Sequence, residues 1–224
     1  VEVITPHEQI CCGSPLLRTG AVKMAKELVK KNVEAFERVG VDTVVTHCPG
    51  CTMTWRRNYP ALTREVIGRE PAFKVLHLSE FLTKNIELNT KDMKPVNLRV
   101  TYHDPCHLNR GLGVAKEPRD IIQQVPRVDY VEMEKADRCC GSGGGTRAGR
   151  RDLSYLIMNR KGEYIAKAKP QAVLTACPFC EIQLADGLGP KPETLDIAEL
   201  LQRAYGYATM PDYRSTITEK KKAF

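Results

Sequence analysis

The sequence predicts an α/β protein of two pseudo-symmetric modules, each a parallel sheet with helical crossovers. Self-similarity is the first observation: CCGS stands at residues 11–14 and again at 139–142. The second is that VDTVVTHCPGC is answered by PQAVLTACPFC, which places Cys48 and Cys51 on Cys177 and Cys180 at an offset of 129. VLHLSEFL is likewise answered by TLDIAELL, with Glu80 on Glu199. Landmarks in the same order at nearly fixed offset mark a repeated unit. The third is that amphipathic stretches alternate with short β-branched runs, as parallel strands joined by helices do.

The elements follow in chain order. Residues 21–39 carry apolar side chains at 21, 22, 24, 25, 28, 29, 33, 35, 36 and 39 with Lys and Glu opposite, a helical stripe that Gly40 ends. Residues 42–47 read as a buried strand and 75–78 as a shorter one. A further β-branched run covers 98–103. Then come a helix over 153–168, a break at Pro170, a strand over 172–176 and a last strand over 194–197. The division expected is a first module at 1–95, a second at 96–208 and a tail at 209–224. Each module is Rossmann-like, with its cysteines just beyond the C-terminal ends of strands. Open α/β sheets bind ligands at that edge, where helix N-termini offer unpaired N–H groups suited to thiolates.

The second repeat has an opening part that the first lacks. RVTYHDPCHLNRG brings a strand and Cys106 ahead of Cys139, and the matching position ahead of Cys11 falls before Val1. The expectation is a polypeptide that extends at least about thirty residues further toward the N-terminus, which intact-mass measurement checks.

Bulk composition excludes several classes. The 224 residues are 42% hydrophobic and 27% charged, the balance of a soluble globular chain. No apolar run approaches the roughly 20 residues that cross a bilayer. Glu2, His7 and Glu8 stand where a signal peptide would need an apolar core. The net charge of +7 is spread among 27 acids, and aromatics are only 6%, so no nucleic-acid partner is expected. Lys220, Lys221 and Lys222 read as a solvated tail.

Nine cysteines, an odd number with no secretory signal, argue for a reducing compartment and a metal or cluster site. The second module spaces them Cys106-x32-Cys139-Cys140-x36-Cys177-x2-Cys180, the first Cys11-Cys12-x35-Cys48-x2-Cys51. Zinc needs only four ligands and favours paired CxxC hooks, while an ordinary cubane cluster often uses a tight CxxCxxC run. Neither pattern is present. A vicinal pair suits two neighbouring irons or one iron with a bridging sulfur, so an unusual iron–sulfur centre is favoured and zinc in one site is the alternative. The glycines at 141, 143, 144 and 145 lack the GK[ST] ending of a phosphate loop. Around a cluster they permit close backbone approach and N–H bonds to sulfur. His103 and His107 flank Cys106 and are candidate catalytic proton donors, with His47 beside Cys48 a weaker one. Asp104 reads as a helix cap. Arg18, Arg110 and Arg147 follow ligand cysteines and would meet anionic substrates or form surface pairs.

These motifs resemble the tandem cysteine-rich CCG domain over nearly the whole chain, to about residue 205. HDPCHLNRG, CCGSGGG and CPFC resemble the catalytic subunit of heterodisulfide reductase, and CCGSPLLRTG its membrane-associated, D-type form, of which this would be the C-terminal part. The resemblance implies two non-cubane 4Fe–4S clusters, each held by five cysteines, with the disulfide of coenzyme M and coenzyme B cleaved between them. Carried over by position, Cys106, Cys139, Cys140, Cys177 and Cys180 would hold one cluster. Cys11, Cys12, Cys48 and Cys51 would supply four ligands of the other, whose fifth is not in this sequence: either it belongs to an upstream segment, or this first site is different or empty. The partners implied are an electron-donating iron–sulfur or cytochrome b subunit and the heterodisulfide substrate. The location implied is cytoplasmic, with peripheral attachment at the inner face of the membrane through a partner. The same tandem module also resembles iron–sulfur subunits of glycerol-3-phosphate, glycolate, lactate and succinate dehydrogenases, which implies the alternative of an electron relay toward quinone.

Overall fold

The computed structural model describes residues 1–143 and 145–207; the tail at 209–224, with its lysines, lies outside them. The fold class expected from the sequence is the one observed: helices alternating with two all-parallel sheets, one of two strands and one of four.

In the N-terminal repeat a short helix α1 (Ser14–Arg18) leads into α2 (Val22–Arg38), which buries Ala25, Val29, Val33 and Ala35 along one stripe. Gly40, in the left-handed region at φ 68°, turns the chain into β1 (Thr43–Thr46). Two helices follow, α3 (Pro49–Arg57) and α4 (Tyr59–Ile67). The chain then returns as β2 (Lys74–His77), parallel to β1, and runs straight into α5 (Leu78–Asn85). Trp55, Tyr59 and Phe73 pack with Val29, Val33, Val44 and Val75 as the core of this half.

The C-terminal repeat opens with β3 (Leu98–Tyr102). A single π-helical turn (His107–Gly111), α6 (Lys116–Gln124) and β4 (Val128–Tyr130) come next. β4 is not among the strands expected from the sequence; it is a three-residue edge strand with only Val128 and Tyr130 turned partly inward. After α7 (Thr146–Gly149) the pattern of the first repeat returns as α8 (Arg151–Ala168), β5 (Ala172–Thr175), α9 (Pro178–Leu188), β6 (Glu193–Asp196) and α10 (Ile197–Tyr205). The sheet order is β4-β3-β5-β6. Every residue of β5 is buried, as a central parallel strand requires. Alternation divides its side chains: Ala172 and Leu174 face α6 and α10, while Val173 joins Met158, Ile165 and Leu184 of α8 and α9.

Strand pairing confirms the internal repeat. Thr46 of β1 registers with His77 of β2, and Thr175 of β5 with Asp196 of β6. His77 and Asp196, which end their strands, each cap the helix that follows and form a capping box, with Glu80 in one case and Glu199 in the other. Among the described residues, nothing in the first sheet corresponds to β3 and β4. The edge of β1 that would pair with such a strand is open, and Val45 on it is 38% exposed.

Candidate metal centre

The first cysteine cluster is built where β1 ends. Cys48 is the N-cap of α3, so Cys51 lies one turn along, and Pro49 fits the first helical position, where no N–H is needed. The Cys11–Cys12 turn is brought over by Gly13 at φ 77°. Three contacts fix this turn: Ile10 N–H donates to Asn32 Oδ1 (2.9 Å), Asn32 Nδ2 to the Cys11 carbonyl (3.0 Å) and Tyr59 OH to the Cys12 carbonyl (3.1 Å). Cys12 Sγ comes to 3.1 Å from Cys51 Sγ. That hydrogen bond holds the Cys12 thiol down at about 7 despite burial.

The second cluster repeats the plan with different anchors. Cys177 caps α9 and Cys180 sits in its first turn. Cys140 lies beside both Cys180 and Cys139, and Cys139 is within reach of Cys106, just past the end of β3. Gly141 N–H points at Cys139 Sγ (3.2 Å), as glycines near a cluster would. A Cβ on Gly141 would lie 2.5 Å from the Ser154 carbonyl, so only glycine allows this loop to lie on α8. Lys161, at the α8 position matching Asn32 of α2, is 1% exposed and donates to the Lys135 and Ala136 carbonyls (2.9 Å each), just before the cysteine pair. Burial brings its amine down to about 8.

The two clusters meet at the seam between the repeats. Cys48 neighbours Cys177 as well as Cys51, and these thiols draw its own strongly toward the thiolate. A cavity of about 380 Å³ lies over Cys11, Cys12, Cys48 and Cys51, walled by Trp55 and by Pro178 from the other repeat.

The histidines occupy different places. His103 is fully buried, and neither ring nitrogen has a protein partner among the described residues. Its donor atom and the Cys140 and Cys180 sulfurs lie within 4.8 Å of one another. Burial first, then the Lys161 charge, hold it neutral with a pKa near 3. His107 points the other way. A Cβ on Gly50 would sit 3.5 Å from His107 Nδ1 and 3.6 Å from Cys48 Sγ, so this side chain from the second repeat overhangs the first cluster. Burial, then Arg18, lower its pKa. His47 binds Asp196 Oδ2 (2.9 Å); burial disfavours its charge, but that carboxylate more than offsets it and the pKa is raised.

Other expectations need correction. Asp104 is not a helix cap: Arg119 grips it with two 2.8 Å bonds, also holds Glu132 and lies over the Tyr102 ring. Cys106 opens a π-helical turn rather than an α-helix, and Gly111 at the end of that turn passes close to Met53, whose Sδ would be 2.8 Å from a Cβ there. Arg110 and Arg147 take the surface-pair reading, with Asp137 and Asp186. Sequence reasoning misses Asn32, Tyr59, Lys161, His77, Asp196 and Arg119 as residues of the site. An amide and a lysine at matching places in two helical stripes are the available signal.

All nine cysteines are free thiols, and all lie in the two clusters. The donor set is soft, mostly shielded and placed beside helix N-termini, and the unpartnered imidazole of His103 faces it. These residues fit an iron–sulfur group.

The sequence matches the cysteine-rich CCG domain over residues 1–56 and 100–185. It is 44% identical over 209 residues to a fumarate reductase (CoM/CoB) subunit of Methanothermobacter marburgensis, covering 91% of the chain and 40% of that protein. It is 38% identical over 213 residues to a dihydromethanophenazine:CoB–CoM heterodisulfide reductase subunit of Methanosarcina barkeri, covering 91% of the chain and 51% of that protein. To the probable glycolate oxidase iron–sulfur subunit of Bacillus subtilis it is 32% identical over 219 residues, 93% of the chain and 49% of the relative. The chain thus spans about half the length, or less, of these relatives, which include named iron–sulfur and oxidoreductase subunits. With two repeats of one cysteine pattern and two thiol clusters at equivalent strand ends, the chain belongs to the cysteine-rich CCG domain family.

Proposed function

We propose that this chain is the iron–sulfur part of a disulfide reductase that cleaves a heterodisulfide of the coenzyme M–coenzyme B type between two modules, 1–95 and 96–208. The observation that supports it most is the seam: Cys48 and Cys177 belong to different clusters and are close enough to perturb each other's thiols, and Pro178 of the second repeat walls the cavity over the first cluster. A ligand lying there would be flanked by both sites. Reductive cleavage of RS–SR′ takes up two electrons and two protons and releases RSH and R′SH. An iron–sulfur centre, when bound, supplies electrons one at a time. On this reading Cys106, Cys139, Cys140, Cys177 and Cys180 hold one centre, and Cys11, Cys12, Cys48 and Cys51 hold the other with a cysteine from outside residues 1–224.

The open edge of β1 supports that last point, as does α9. Gly50 and Met53 of α3 are covered by the turn after Cys106, whereas the matching Phe179 and Ile182 of α9 are 60% and 44% exposed. His107 overhangs the seam and is placed to meet a substrate. His103 lies beside Cys140 and Cys180 and would serve as a nitrogen partner for the second centre. CoM and CoB stand in the names of two relatives, which supports the coenzyme pair. The electron donor would be an iron–sulfur or cytochrome b subunit. Among the described residues no helix is long and apolar enough to cross a membrane, so any attachment through a helix would fall to such a partner.

The alternative is a relay subunit that only passes electrons on. It is supported by the names of two relatives, the glycolate oxidase subunit and an EtfAB:quinone oxidoreductase of Syntrophomonas wolfei, and by a run of neighbouring thiols from Cys12 through Cys48 and Cys177 to Cys106. Anaerobic assay with reduced viologen and the heterodisulfide separates them. Release of both thiols supports the reductase, and its absence from a cluster-loaded protein supports the relay.

A further inference from the structure

One buried side chain outside the ligand sets touches both CxxC loops. His77 ends β2, caps α5 and is 1% exposed. Its Nδ1 accepts the Ser79 backbone N–H (3.2 Å), so the ring proton is on Nε2. That N–H is shared by two carbonyls, those of His47 (3.1 Å) and Ala176 (3.2 Å). His47 immediately precedes Cys48 and Ala176 immediately precedes Cys177. A single donor therefore ties the entry of one CxxC loop to the entry of the other, reaching the second across the 99 residues that separate His77 from Ala176.

Capping alone does not explain a histidine here. An N-cap needs only an acceptor, and Asp, Asn, Ser and Thr provide it best. The second repeat uses Asp196 at the matching position, accepting the Ala198 N–H at 2.7 Å. Asp196 has no proton to donate and instead binds His47 across the seam. What histidine adds at position 77 is the outer donor.

We propose that His77 is a positioning residue that holds the two CxxC loops at a fixed separation and thereby sets the coupling between the two sites. The proposal requires only that the cysteine clusters face each other, and it stands whichever redox reaction they serve. His77→Asp keeps the cap and the Glu80 box but removes the outer donor. His77→Gln keeps a donor near the Nε2 position but loses the cap.

The test uses the full chain carrying Cys51→Ser and Cys180→Ser, which removes the within-loop disulfides and all dependence on iron. Under mild oxidation, the rate of Cys48–Cys177 disulfide formation is read by peptide mass spectrometry, with circular dichroism to confirm the fold. His77→Asp slows it by about tenfold or more and His77→Gln stays within about threefold of the parent, as loss and retention of positioning require. In iron-loaded protein without the serine substitutions, His77→Asp retains iron but weakens the magnetic interaction between the two centres. Equal disulfide rates in His77→Asp and its parent would overturn the proposal. So would equal slowing by both variants, which would assign the effect to the cap, or failure of the parent to form the bond at all.

Discussion

The two repeats share one plan and differ in how fully it is enclosed. β5 is buried throughout between β3 and β6, whereas β1 has β2 on one side and an open edge on the other. Each CC pair has one exposed and one buried cysteine, but in the second Gly141 is pressed on α8 and Lys161 ties the chain just before the pair, whereas the first pair lines a cavity and is tied by Asn32. Equivalent cysteines therefore sit in unequal surroundings. Ligand geometry is set by the strand-to-helix junction common to both, while the far edge of the sheet is covered by the opening strand–turn–helix–strand unit, seen among the described residues only in the second.

Substituting matched residues probes this contrast, and the ligands come first. Cys180→Ser removes a fully enclosed ligand and is expected to abolish iron retention at the second site, a loss of roughly tenfold or more in that site's occupancy. Cys51→Ser is expected to remove less iron, because Cys51 is only half-buried and lines an open cavity. Iron and sulfide content of each variant decides the matter, and equal losses would erase the contrast.

Lys161 gives a pH signature that Asn32 lacks. Its folded pKa of about 8 lies below the ordinary lysine value of 10.5. Between these values the unfolded chain binds more protons, so stability relative to Lys161→Met rises with pH, by about 3 kcal/mol across the window. Melting curves of both proteins from about pH 7 to about pH 10 check it; parallel curves would show that burial does not shift the amine.

The glycines should rank next. Gly141→Ala meets the Ser154 carbonyl at φ 91° and is expected to cost about 3 kcal/mol. Gly13→Ala, at φ 77° with its nearest neighbour 3.6 Å away, should cost about 1 kcal/mol. Denaturant midpoints measure both. The smallest expected difference is on α3 and α9: Met53→Ser should cost about 2 kcal/mol and Ile182→Ser about 0.5 or less, since only Met53 is covered. An Ile182→Ser cost equal to that of Met53→Ser would mean α9 is covered too.

Much of this is legible in the chain. The repeat predicts which strands correspond, and the helix at 21–39 and the strand at 172–176 each lie within about two residues of α2 and β5. Cys48 and Cys177 fall at helix N-caps, as CxxC motifs beyond β-branched runs imply. β4 is hidden because three edge residues carry too little alternation to show a period. His107 groups with Cys106 in the sequence because they are neighbours, yet its ring overhangs Cys48, a placement that exists only once α3 packs on the turn after Cys106. Asp104 looks like a cap because Arg119, its partner, is fifteen residues away. The double contact of His77 is likewise invisible, since it depends on how the two repeats meet.

If the two matched thiol clusters bind iron and sulfide as a facing pair, metal and acid-labile sulfide analysis of anaerobically prepared protein shows it without any further assumption. Iron and sulfide are expected in comparable amounts, with visible charge-transfer absorption, and Cys180→Ser is expected to remove more of both than Cys51→Ser. Zinc without sulfide and without visible absorption would contradict the facing pair of iron–sulfur centres.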